Sequence, residues 1–183
     1  APRRAAPHDE VRALKVYDDG SGPALFVAGS FTQVGSLVVN RIAKWDGQGF
    51  SPLPGKSGVG VEGTGLVLTA QALEAVDAGD GEKLYVSGIF DQAGGQPIAD
   101  LASWDGSVWR SPVGDGSGFS PSSSGPRVLA AFGDGAKSLF MAGEFSEING
   151  VVSNGIGEYR AEGVIFADGF ESGDTTAWTS SVP

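Results

Sequence analysis

The sequence predicts an all-β fold built from repeated four-stranded antiparallel sheets, on three observations. A single layout is written three times: "LFVAGSFTQVGSLVVNRIAKWDG" at 25–47, "LYVSGIFDQAGGQPIADLASWDG" at 84–106, and a worn "LFMAGEFSEINGVVSNGIGEYRA" at 139–161. The chain carries 30 Gly and 10 Pro, which imply many turns. Leucine-rich stretches of helical period are scarce, so short strands are favoured over helices.

The register of the repeats is the strongest of these signals. Leu25, Gly29, Phe31, Gly35, Trp45, Asp46 and Gly47 map without a gap onto Leu84, Gly88, Phe90, Gly94, Trp104, Asp105 and Gly106, an offset of 59. Leu84, Gly88, Phe90, Leu101 and Trp104 map in turn onto Leu139, Gly143, Phe145, Ile156 and Tyr159 at an offset of 55. A fixed period of this size signals a repeat architecture.

Each copy reads as four strands. The first is "VRALKVY", "AQALEAV" or "RVLAAF", followed by a Gly/Asp-rich turn: "DDGSG", "DAGDGE" or "GDGAK". The second, "ALFVAGSF" in copy one, is apolar on both pleat faces, as expected of a strand covered on both sides. Gly29, Gly88 and Gly143 interrupt it where a neighbouring backbone must come close. The third strand is "RIAKW", "DLASW" or "GIGEY"; in the first two copies Asp-Gly then supplies a positive-φ turn into a fourth strand at Phe50 or Trp109.

A sheet that is apolar on both faces must be covered on both. Packing such sheets face to face around an axis does this, which predicts a β-propeller-type array of three blades. The aromatic closing strand three (Trp45, Trp104, Tyr159) is expected to wedge between adjacent blades, the alternative being a sugar-stacking platform.

The Gly-bearing second strand, the Phe, the short Gly-rich loop, Trp-Asp-Gly and the second aromatic together resemble bacterial kelch-like propeller repeats over roughly residues 11–163. That resemblance implies a propeller used as an interaction scaffold in secreted or surface proteins. In the third copy Glu158-Tyr159-Arg160 replaces x-Trp-Asp, so it reads as a degenerate terminal blade. The expected organisation is an N-terminal disordered tail (1–10), blade 1 (11–66), blade 2 (67–125), blade 3 (126–166) and a C-terminal tail (167–183), with 164–166 supplying blade 3's outer strand. Closed propellers use at least about four blades. The chain is therefore read first as a fragment of a larger propeller, and second as half of a ring closed by another chain in a homodimer. A third arrangement is an open, capped stack.

Composition narrows the function classes. The hydrophobic fraction of 40% exceeds that of disordered chains, and no apolar run approaches membrane-helix length, so no membrane insertion is expected. A formal charge of −10 without a Lys/Arg cluster argues against nucleic acid, and no nucleic-acid partner is expected. The chain has no Cys, which removes disulfides and thiolate sites. The stretch "APRRAAPHDE" has no apolar core and is not a secretory signal. The tail "DGFESGDTTAW" resembles short C-terminal segments of exported bacterial repeat proteins, and with the kelch-like resemblance it implies an extracellular or cell-surface location.

No catalytic residue or metal ligand is assigned. His8 is the only histidine and lies in a polar tail, so triads and histidine metal sites have little to build from. "PGKSG" at 54–58 fails as a phosphate loop because Phe50 stands where a glycine is required. Asp18, Asp19, Asp77, Asp80 and Asp134 sit beside glycines as turn residues, and Glu144 and Glu147 are expected to be solvated. No cofactor is expected, although "DDGSG" and "DAGDG" offer hard oxygen ligands that suit calcium. The linkers "SPLPGKSGVGVEGTG" and "SPVGDGSGFSPSSSGPR" read either as flexible padding or as binding loops. The expected function is a non-enzymatic exported scaffold that binds protein or glycan through blade-connecting loops. The alternatives are a carbohydrate-active hydrolase or lyase with carboxylates at the propeller mouth, and a purely structural surface repeat.

Overall fold

A computed structural model describes residues 9–65, 67–114, 118–120, 125–133, 138–160 and 163–167. The expected N-terminal tail, save residues 9–10, and the C-terminal tail beyond 167 lie outside the described residues. The first unit contains β1 (Val11–Asp18), β2 (Pro23–Gly29), β3 (Gln33–Val34), β4 (Leu37–Val38), β5 (Ile42–Trp45) and β6 (Phe50–Pro52). The linker after it carries β7 (Val61–Glu62). The second unit contains β8 (Thr69–Asp77), β9 (Glu82–Ile89), β10 (Gln92–Ala93), β11 (Leu101–Trp104) and β12 (Trp109–Arg110), and β13 (Phe119–Ser120) lies in the second linker. The third contains β14 (Pro126–Phe132), β15 (Ser138–Gly143), β16 (Glu147–Ile148), β17 (Val151–Val152), β18 (Ile156–Arg160) and β19 (Gly163–Ala167).

The fold is all-β, with no helix among the described residues. Its main sheets are antiparallel with orders β1-β2-β5-β6, β8-β9-β11-β12 and β14-β15-β18-β19. Among the described residues they form an open series, and no closed ring is seen. Smaller pairings complete the topology: β3 with β4, β7 with β10, and β13-β16-β17.

The same irregularity recurs at each unit's first strand. Register slips at Arg12, Gln71 and Arg127, where β1, β8 and β14 each bulge against the glycine at or one residue before the end of the next long strand. A Cβ on Gly29 would lie 1.9 Å from the Glu10 carbonyl oxygen, and one on Gly88 would lie 2.0 Å from that of Thr69. At Gly143 the nearest backbone oxygen, of Gly125, is 2.9 Å away. The N–H groups of the three glycines donate to the carbonyls of Arg41, Asp100 and Gly155, each at 3.0 Å. The close backbone approach expected of these glycines is therefore real, and a bulge causes it.

The Asp-Gly turns form as the sequence predicts. Gly47 and Gly106 adopt φ of 95° and 97°. The Asp46 carboxylate accepts from the N–H groups of Gln48 and Gly49, both at 2.8 Å. Asp105 accepts from Val108 N–H at 2.8 Å and Ser107 N–H at 3.0 Å, and pairs with Arg110. Burial pushes the Asp105 carboxyl up, but Arg110 and these donors outweigh it and hold the group well below the usual carboxylate range. Asp105→Ala is expected to cost about 1–2 kcal/mol at neutral pH in chemical denaturation, by unpairing the turn's N–H groups. An unchanged midpoint would show that the turn closes without the carboxylate.

Each sheet has a front face and a back face, and fronts pack on backs. Ala13, Tyr17, Phe26, Ala28 and Ile42 on the first sheet's front share a core with Leu73, Leu84, Val86, Ala102 and Trp104 on the second sheet's back. The second sheet's front (Ala72, Val76, Tyr85, Leu101) meets the third sheet's back (Leu129, Leu139, Met141, Tyr159) in another. Each fully buried side chain of this size contributes about 1.5–3 kcal/mol. Polar links cross the first seam: the Tyr17 hydroxyl donates to the Glu82 carbonyl at 3.2 Å, and Lys15 pairs with Glu74. Trp104 and Tyr159 are buried in these seams as expected, whereas Trp45, on the first sheet's back, is half-buried against Phe50 with ring centroids 4.9 Å apart.

Candidate functional site

The first linker is not padding. Leu53 and Val61 are buried, and β7 pairs with β10 of the following unit. Gly60 N–H donates to the Leu53 carbonyl at 2.9 Å, and Gly94 N–H to the Gly60 carbonyl at 2.8 Å. Gly55 lies on Gly94 so closely that a Cβ there would be 2.1 Å from the Gly94 Cα. The "PGKSG" stretch is thus a tight turn closed by a 2.8 Å bond from Gly55 N–H to the Gly58 carbonyl. The second linker repeats the device through β13, which pairs with β16.

Where the first linker crosses the second unit it leaves one cleft, and a second cleft adjoins it on the β12 side. One, about 330 Å³, is lined by Gly55, Lys56, Gln96, Ser107, Val108 and Trp109. The other, about 290 Å³, shares Gln96 and Trp109 and adds Pro97, Ile98, Arg110, Ser111 and Gly114. Gln96 is oriented by an Nε2 bond to the Trp109 carbonyl at 3.4 Å. The Arg110 side chain is half-exposed while paired to Asp105. Together the linings carry two cations, Lys56 and Arg110, with hydroxyl and amide groups from Ser107, Ser111 and Gln96, a set suited to ligands carrying hydroxyls and a negative charge.

The aromatic positions of the second unit do not supply a stacking platform. Trp104 and Trp109 are each 1% exposed and pack on each other with centroids 5.2 Å apart. Both serve the core, and the sugar-stacking alternative fails at those two residues because no ring face is accessible.

The acidic residues are placed as follows. Asp18 accepts from Gly20 and Gly22 N–H at 2.9 and 3.0 Å, and Asp77 from Gly79 and Gly81 N–H, both at 2.9 Å. Asp19 receives Lys44 Nζ at 2.6 and 2.7 Å; burial raises its carboxyl, but Lys44 and Ser21 outweigh that and lower it. Asp80 pairs with Lys83, and Glu144 with Arg127 at 2.9 Å on the surface. Glu147 is half-buried in β16. Asp18, Asp19 and Asp77 thus accept backbone N–H bonds within their turns, as expected of them, whereas Asp80 is held by Lys83 instead. His8 and Asp134 lie outside the described residues.

A carboxylate not singled out by the sequence is the most perturbed. Asp100 is 1% exposed, at φ 63°, and its N–H donates to the Phe90 carbonyl at 3.1 Å. Burial pushes its pKa up to about 7; a backbone hydrogen bond with Phe90 opposes this and the charge of Asp91 adds to it. Asp91 is tied to Thr64, whose N–H and hydroxyl donate to it at 2.9 and 2.8 Å. Neither carboxylate lines either cleft.

No family model, curated protein or solved structure matches the chain.

Proposed function

We propose that the chain is a non-enzymatic, exported repeat scaffold of the kelch-like β-propeller type, binding a protein or glycan through the loops that join its blades. The observation that carries this reading is the pair of adjoining clefts at the second unit, one of them walled by the first linker, which present Lys56, Gln96 and Ser107 on linker and loop segments and Arg110 at the end of β12. Loops held on a rigid sheet scaffold are where binding residues concentrate. The carboxylate with the raised pKa is sealed in the body of the second unit rather than in a cleft, which favours binding over acid–base chemistry.

Calorimetric titration with uronic-acid and neutral oligosaccharides and with acidic peptides tests the proposal. At least one anionic class is expected to bind, and Lys56→Ala and Arg110→Ala are each expected to weaken it about tenfold, one charge-assisted hydrogen bond apiece. Glu144→Gln, outside the clefts, is expected to leave affinity unchanged. Hydrolysis of any of these oligosaccharides that is abolished by removing one carboxylate would replace this reading with the enzymatic one.

A further inference from the structure

The two end faces of the series carry the same residues that are buried inside it. On the back faces Leu14, Leu73 and Leu129 occupy one register position, opposite Val27, Val86 and Met141 respectively. Leu73 and Leu129 are 7% and 8% exposed beneath the preceding sheet, whereas Leu14 is 59% exposed, with Val16 beside it at 64%. On the front faces the Tyr17–Phe26 ring pair (centroids 5.5 Å apart) stands where Phe132–Phe140 (5.9 Å) stands in the third sheet. Tyr17 is 4% exposed under the second sheet, and Phe132 is 70% exposed.

Among the described residues, the β1 strand on the first sheet's back and the β14 strand on the third sheet's front are thus left exposed. Val27 and Ala43, deeper on the first sheet's back, are buried by the first unit's own β3–β4 loop. The two internal seams are front-on-back contacts made from these same positions. We propose that a second copy of this chain seats the back of its first sheet (Leu14, Val16) on the front of the third sheet (Val128, Phe132, Phe140), continuing the internal seam across the subunit boundary. The contact is heterologous, so it closes only if the second copy's own third sheet returns to the first copy's first sheet. Propellers hold about four to eight blades, and six is the one multiple of three in that range. Two copies thus complete the ring. The seam rests on the face equivalence; the closure rests on the propeller reading given above.

The test is native mass with face-specific variants of the 183-residue chain. The wild type is expected at twice 18.6 kDa. Leu14→Glu and Phe132→Glu alter exposed side chains, so each is expected to keep the wild-type circular dichroism. Each is also expected to run as a monomer, its self-affinity weakened at least about a hundredfold by placing a charge in an apolar seam. Mixed, the two variants are expected to recover a dimer, because one front and one back remain intact. A monomeric wild type overturns the proposal. So does a dimer lost in one variant only, or absent from the mixture, which would mean a symmetric face-to-face contact. Growth into larger assemblies overturns closure while leaving the loop-binding titration unaffected.

Discussion

Gly88→Ala is expected to lower stability by about 3–5 kcal/mol and to unfold much of the chain near physiological temperature. The added methyl would fall 2.0 Å from the Thr69 carbonyl oxygen, which belongs to backbone and not to a side chain that could rotate away. Relief would need β8 to move off β9, and β8 is the strand between the first and third sheets, packed on both. The shift would also strain the 3.0 Å bond from Gly88 N–H to the Asp100 carbonyl. Gly143→Ala is the graded control. Its nearest backbone oxygen is 2.9 Å away and, among the described residues of the chain, the third sheet packs on the second alone, so a loss of about 1–2 kcal/mol is expected. Denaturant melts of the two variants decide the matter, and equal losses would mean that the bulge, and not the close approach, sets the cost.

The second large effect is a pH dependence carried by Asp100. Its carboxyl, at an ordinary value of 3.8 in the unfolded chain and about 7 when folded, keeps its proton in the native state over the interval where the unfolded chain releases it. The native state therefore binds more protons between those values, and stability falls as pH rises through them. Above about 7 the loss is complete. A shift of roughly three units corresponds to up to about 4 kcal/mol. Asn accepts the left-handed backbone at this position, so Asp100→Asn is expected to fold and to remove the slope. Other carboxylates slope the opposite way: Asp105 and Asp19 are held low, and the stability they add is lost as pH falls. The readout is therefore the difference between variant and wild type from pH 4 to pH 8. Parallel profiles would show that Asp100 ionises freely in the folded state.

Local signals made most of the fold legible. Asp46-Gly47 and Asp105-Gly106 announce tight turns through residue chemistry that acts over four positions. Gly29, Gly88 and Gly143 announce a backbone contact because each breaks an otherwise apolar strand, although the sequence does not say that bulges at Arg12, Gln71 and Arg127 create it. The two-residue strands β7 and β13 were invisible for a physical reason. Their partners lie some thirty residues on, and neither "VE" nor "FS" carries any periodicity. The clefts were hidden likewise, since Lys56 and Trp109 meet only after the linker has folded back. Asp100 was masked by the repeat itself. Its counterparts are Arg41 and Gly155, also at positive φ, so the position reads as a turn and its chemistry goes unnoticed.

The linker strands displace the boundaries of what can be excised. Because β7 precedes the second sheet yet completes that unit's β10 pairing, a fragment cut at the first residue of β8 would leave the Asp91 and Gly94 N–H groups without their Glu62 and Gly60 acceptors. A transplantable module of this chain begins near Leu53, inside what looks like a spacer, and each module arrives already fastened to the one before it.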